Sequence, residues 1–134
     1  MFNPTRDEVR RFFCDAWKKH KEKALLTPLE SMALDIMLLH PEYHLVLDDA
    51  ELAENREENP FLHLSLHLAV MEQLSIDQPF GIKKRFDAIL GKSESRHHAF
   101  HLVMECLGEM IWQAQRQNAP FDSEIYFACL EKQS

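Results

Sequence analysis

Residues 59–68 read NPFLHLSLHL. Asn59 is a good helix N-cap, and Pro60 suits the first helical position, where its missing N–H costs nothing. The apolar run that follows predicts a helix from Asn59 to about Ser75, with Leu62, Leu66, Ala69 and Val70 as its apolar stripe. His63 and His67 fall on the flank of that stripe, away from Ser65 and Glu72. Both imidazoles are therefore expected to point inward. A buried imidazole resists protonation and needs a partner. A metal ion, a carboxylate such as Glu105 or Glu109, or a backbone carbonyl could serve.

The same helix punctuation recurs on either side. Asn3 and Pro4 repeat the cap-and-proline device and open a helix to about Lys23, with Val9, Phe12, Phe13 and Ala16 on one face. TPLE at 27–30 carries a capping box, Thr27 with Glu30, and Pro28 presets the first turn. Leu29, Ala33, Ile36, Met37 and His40 follow at helical spacing, and Pro41 ends or kinks that helix. Residues 48–58 are acidic and read as a loop. DQPFG at 77–81 breaks the chain before a short helix over 82–90 that stops at Gly91. Ser93 or Ser95 caps a long helix to about Gln117, with Ala99, Val103, Cys106, Leu107, Met110 and Ala114 as its apolar face. Asp122 or Ser123 caps a last short helix. No segment alternates like a strand, and 3 Gly and 6 Pro offer little hairpin chemistry. The expected fold is all-α, a single-domain helical bundle over residues 1–134 with about four main helices and short additional ones.

Composition narrows the function classes. The chain has 134 residues, 46% of them apolar and 28% charged, as in ordinary globular proteins. No apolar run approaches a membrane span, and the charged N-terminal stretch lacks a signal core, so a cytoplasmic protein is expected. The formal net charge of −7 argues against a general nucleic-acid binder. The basic stretch WKKHKEK at 17–23 is read as a solvated helix end beside the acidic loop. It leaves a protein partner or self-association open. Cys14, Cys106 and Cys129 are scattered and odd in number, which suggests free thiols, with Cys106 a small core residue.

The histidines carry the chemistry. Six of the 8 form three pairs at i, i+4: His40/His44, His63/His67 and His97/His101. Residues so spaced on a helix share a face about 5–6 Å apart at Cβ. Two such imidazoles can reach one metal ion, and zinc, iron and copper all accept neutral imidazole nitrogen. Glu105, four residues beyond His101, adds an oxygen ligand. His101 and Glu105 lie opposite the apolar face of their helix, in line with Gly108 and Trp112, and Trp112 argues that this side is covered. The His40/His44 pair is interrupted by Pro41. No HExxH, Walker loop, GxGxxG or GxSxG is present.

The stretches MFNPTRDEVRRFF, LTPLE, HPEYH, NPFLHLSLHLAVMEQLSIDQP and HLVMECLGEMIWQAQR resemble short bacterial proteins of the domain of unknown function family numbered 1841. The resemblance spans nearly the whole chain and implies a compact domain, without a catalytic residue to carry over. Hemerythrin-type bundles also set paired histidines and carboxylates on neighbouring helices. This sequence lacks the complete hemerythrin ligand order, so that likeness is one of fold alone.

Together these readings point to a helical bundle that holds a transition metal, Zn or Fe, through His63, His67, His97, His101 and Glu105, with His40 and His44 as further ligands. Any reaction would use the metal as a Lewis acid or to activate water or oxygen. The alternative is a non-enzymatic interaction module whose histidines are structural.

Overall fold

The computed structural model describes residues 6–51 and 59–133. Among the described residues there are seven α-helices and no strand, with 3-10 turns at Pro41–Tyr43 and at residues 50–51. The chain divides into two compact units, Met1–Leu68 and Ala69–Ser134, with the boundary inside one helix. The expected cap at Asn3 and the residues 52–58 of the acidic loop lie outside the described residues.

In the first unit, α1 (Arg6–Lys21) packs with α2 (Pro28–Leu38) and α3 (His44–Asp48). Phe13, Ala16 and Trp17 form the buried face of α1, with Val9 and Phe12 half-buried beside them. The capping box of α2 is complete. Thr27 Oγ1 accepts from the Glu30 backbone N–H at 3.1 Å, and Glu30 Oε1 accepts from the Thr27 N–H at 2.9 Å. Ala33, Ile36 and Met37 are buried, whereas Leu29 at the start of the same stripe is exposed.

The basic end of α1 meets specific acids. Lys19 Nζ lies 2.8 Å from Glu30 Oε2, and Lys21 Nζ lies 2.6 Å from Asp48 Oδ1. Asp48 also accepts from Trp17 Nε1 at 3.0 Å. The Lys21 and Trp17 hydrogen bonds hold the Asp48 carboxyl below its ordinary range. WKKHKEK thus fastens α1 to α2 and α3, in keeping with its reading as a helix end beside acidic chain.

Helix α4 (Pro60–Ile76) begins in the first unit and ends in the second. Its Asn59 cap is present, with Oδ1 accepting from the N–H groups of Phe61 and Leu62 at 3.0 and 3.3 Å. The buried face differs from the expected stripe. Phe61, Leu64, His67 and Leu68 are buried with Val70, while Leu62 is 57% exposed and Leu66 and Ala69 are half-buried. A helix that is apolar nearly all round gives its own pattern no power to select a face. His67 lies on the buried face and not on its flank.

In the second unit, α5 (Ile82–Leu90), α6 (Arg96–Gln117) and α7 (Ser123–Gln133) pack on one another. Ser95 caps α6, its Oγ accepting from the His98 N–H at 3.0 Å. The predicted face of α6 is buried throughout, from Ala99 to Ala114. Phe86 of α5 meets Phe100 of α6 edge-on at 5.1 Å. Asp122 accepts from the Glu124 N–H at 2.9 Å and so caps α7. Tyr126 is fully buried and donates its hydroxyl to Gln73 Oε1 at 2.7 Å. Burial pushes the Tyr126 phenol well above its ordinary value.

The expectation of free thiols is overturned. Cys106 of α6 and Cys129 of α7 form a disulfide with Cα atoms 5.5 Å apart. Their separation of 23 residues looks scattered in sequence, but the turn between α6 and α7 folds one helix back on the other. Cys14 is the free thiol.

Removing the α2 cap with Thr27→Ala should lower unfolding free energy by about 1 kcal/mol in urea titrations at neutral pH. A companion test uses acid. The Lys19 hydrogen bond, and next the Thr27 backbone N–H, hold the Glu30 carboxyl below its ordinary 4.5. A depressed folded value means its contribution is full above pH 4.5 and is lost as pH falls below it. The stability gap between the parent and Glu30→Gln should therefore close on acidification, and a gap that widened would refute the assignment.

Candidate metal centre

The His40/His44 pair is split by Pro41. Helix α2 ends at Leu38, and a 3-10 turn, Pro41–Tyr43, follows before α3. The two rings leave this corner in different directions. His44 Nε2 donates to the Met37 carbonyl at 2.9 Å, and its ring lies 4.5 Å from that of Trp17. His44 is thereby committed to the packing of α1 on the end of α2.

His40 turns toward α4. It is 1% exposed, and its Nδ1 lies 2.8 Å from the Ile36 carbonyl. A carbonyl only accepts, so Nδ1 carries the proton and Nε2 of the neutral ring carries the lone pair. That Nε2 lies 3.0 Å from Nε2 of His63, one turn into α4. The His40 ring is 4.8 Å from both the His63 and His67 rings, which are 5.5 Å from each other. Tyr43 stacks on His40 at 5.4 Å with the rings 9° from parallel. Three imidazoles from two segments thus share one aromatic-walled patch of the first unit. His67 is 1% exposed and His63 is half-buried.

The second unit holds the remaining pair. His97 and His101 occupy the first two turns of α6, half-buried, with ring centroids 4.2 Å apart. Here the i, i+4 spacing does what helical geometry dictates. Glu105 and Glu109 are exposed, and Glu109 accepts from Gln113 Nε2 at 3.0 Å. Trp112 is not covered as expected: it is 49% exposed, with the Arg116 guanidinium 5.0 Å above its ring. That cation–π contact shields one ring face and replaces the anticipated covering element.

Chemically, these are nitrogen donors with apolar surroundings. A hydrogen bond from Nδ1–H to a carbonyl is the support metal-ligating histidines ordinarily have, because it fixes the tautomer and aims the other nitrogen. His40 has that support from Ile36. Sequence spacing paired His40 with His44 and could not show its turn toward His63. The signal was Pro41, which forbids one continuous helix through both. Tyr43 was missed altogether, since aromatic stacking on an imidazole has no sequence period.

The chain matches the family described as Domain of unknown function (DUF1841) over residues 5–132, and it belongs to that family. No curated protein and no solved structure matches the chain.

The His40 assignment predicts a definite nuclear magnetic resonance signature. Long-range proton–nitrogen spectra of the apo protein should show His40 protonated at Nδ1, and His44 protonated at Nε2. Reversal of either tautomer would contradict the two carbonyl hydrogen bonds.

Proposed function

We propose that this protein binds a transition metal ion through imidazole nitrogen, His40, His63 and His67 being the candidate ligands of the first unit and His97 and His101 those of the second. The observation that carries this reading is His40: a buried ring whose Nδ1–H is fixed by a carbonyl and whose Nε2 faces other imidazoles. Each unit alone contributes supporting geometry, His40 beside His67 in the first and His97 beside His101 in the second. His63 stands next to His40 as a neighbouring ring.

The donor chemistry favours zinc over iron. Non-haem iron sites of the facial type need a carboxylate, and Glu105 is exposed on α6. A bound ion would supply charge to organise the imidazoles or to polarise an oxygen ligand. A cytoplasmic site of action is part of the same proposal. Among the described residues no helix is long and apolar enough to cross a membrane.

One observation favours a second reading. His40 and His44 both donate to carbonyls in the last turn of α2, as purely structural histidines do. On that reading the protein is an interaction module and takes up no metal.

Elemental analysis of tag-free protein separates the two. The metal reading predicts near-stoichiometric zinc, or its uptake on reconstitution. Whichever pair holds the ion, its removal by His40→Ala/His67→Ala or by His97→Ala/His101→Ala should weaken binding by more than the roughly 10–100-fold that loss of an outer partner costs. His44→Ala should cost stability yet leave the metal in place. Wild-type protein that refuses metal would establish the interaction reading instead.

A further inference from the structure

We propose that the Cys106–Cys129 disulfide is a reversible redox site, attacked at Cys129 by a dithiol, and that its reduction releases α7 from α6. The inference rests on the second unit alone and is independent of metal binding.

The two sulfurs are unequal. Cys106 is fully buried on the apolar face of α6, while Cys129 on α7 is half-buried. Exchange requires a thiolate to approach a disulfide sulfur, so Cys129 Sγ is the accessible target. The reductant thiolate bonds to Cys129 Sγ as the S–S bond breaks, and Cys106 leaves as a thiolate that takes up a proton. The second thiolate of the reductant then attacks the reductant's own sulfur in the mixed disulfide and expels Cys129. The protein disulfide gains two electrons and becomes two thiols, and the dithiol is oxidised to its disulfide.

Helix α7 packs on α6 and α5 through a small buried face, and this bridge adds a covalent tie to that packing. Its buried residues are Tyr126 and Leu130. A groove of about 420 Å³, open to solvent, lies beside its first turn, lined by Met110, Ala114, Phe121 and Ile125 among others. Another of about 310 Å³, walled by Arg85, Ala88 and Leu130, lies along its last turns. The segment before α7 turns at Asn118, whose φ of 50° puts it in the left-handed region, and continues without helix through residues 119–122. The bridge therefore sits mid-helix, between two solvent-open grooves. Other ties of α7 include the Tyr126–Gln73 hydrogen bond, the Arg85 guanidinium 3.9 Å over Phe127, and the 3.7 Å Arg85–Glu131 pair.

The test uses the full chain purified without reductant and titrated with dithiothreitol under native conditions. Alkylation after denaturation, read by mass spectrometry, should label Cys14 alone before reduction and all three cysteines after it. Hydrogen exchange in residues 119–133 should then speed up at least ten-fold. Residues 82–90 and 96–105 should keep their protection, and reoxidation should reverse the change. Cys106→Ser/Cys129→Ser should show the fast exchange without reductant and ignore dithiothreitol. Any of four results overturns the proposal: three labelled cysteines at the outset, a bridge that resists excess dithiothreitol in the native protein, α7 exchange unchanged by reduction, or unfolding of the whole chain on reduction.

Discussion

Two carbonyls at the end of α2 decide where the histidines go. A helix terminus leaves its last carbonyls without their usual donors four residues on; here the Leu39 and His40 N–H groups reach the Ile36 and Met37 carbonyls at 3.1 Å, and each carbonyl keeps a second lone pair. Pro41 cannot extend the helix, so the chain turns and brings back its own donors. His40 Nδ1–H reaches the Ile36 carbonyl, and His44 Nε2–H reaches that of Met37. Each hydrogen bond consumes one nitrogen and orients the other. The opposite choice of nitrogen sends the two rings to different places, one toward His63 and His67 and the other onto Trp17. A local problem of helix termination is thereby converted into a fixed imidazole with a defined lone-pair direction.

Much of the fold was legible because its punctuation is local. Thr27, Asn59, Ser95 and Asp122 act within three residues of themselves, and each caps where the sequence placed a cap. The face of α6 was legible too, because polar and apolar residues separate cleanly around it. Helix α4 resisted for the opposite reason. With leucine on nearly every side, periodicity could not tell buried Leu64 from exposed Leu62. The disulfide was illegible because it depends on how α6 and α7 return on each other, and spacing along the chain does not encode that return. His40 beside His63 is the same kind of fact, joining residues 23 positions apart.

Histidine spacing was therefore a good guide where a helix was continuous and a poor one where it was not. His97 and His101 keep their four-residue geometry on α6, and their rings meet at 4.2 Å. His63 and His67 keep theirs on α4. His40 and His44, with the same spacing, have Pro41 between them and no common helix. The rule that two residues four apart share a face is a statement about backbone hydrogen bonding, and it lapses where the ladder does.

His67 offers the sharpest contrast between stability and function. It stands on the buried face of α4 among Phe61, Leu64 and Leu68, at a position where leucine would suit the core. Burying a polar ring costs free energy that an apolar side chain of similar shape avoids, although the exchange also leaves the ring's own partner unpaired. A chain shaped for stability alone has little reason to keep imidazole there. With these two effects opposed, His67→Leu should move the urea midpoint of the metal-free protein little while removing the proposed metal binding. A large loss of stability in the metal-free protein would instead show that the ring itself holds the fold together, and His67 would then be structural.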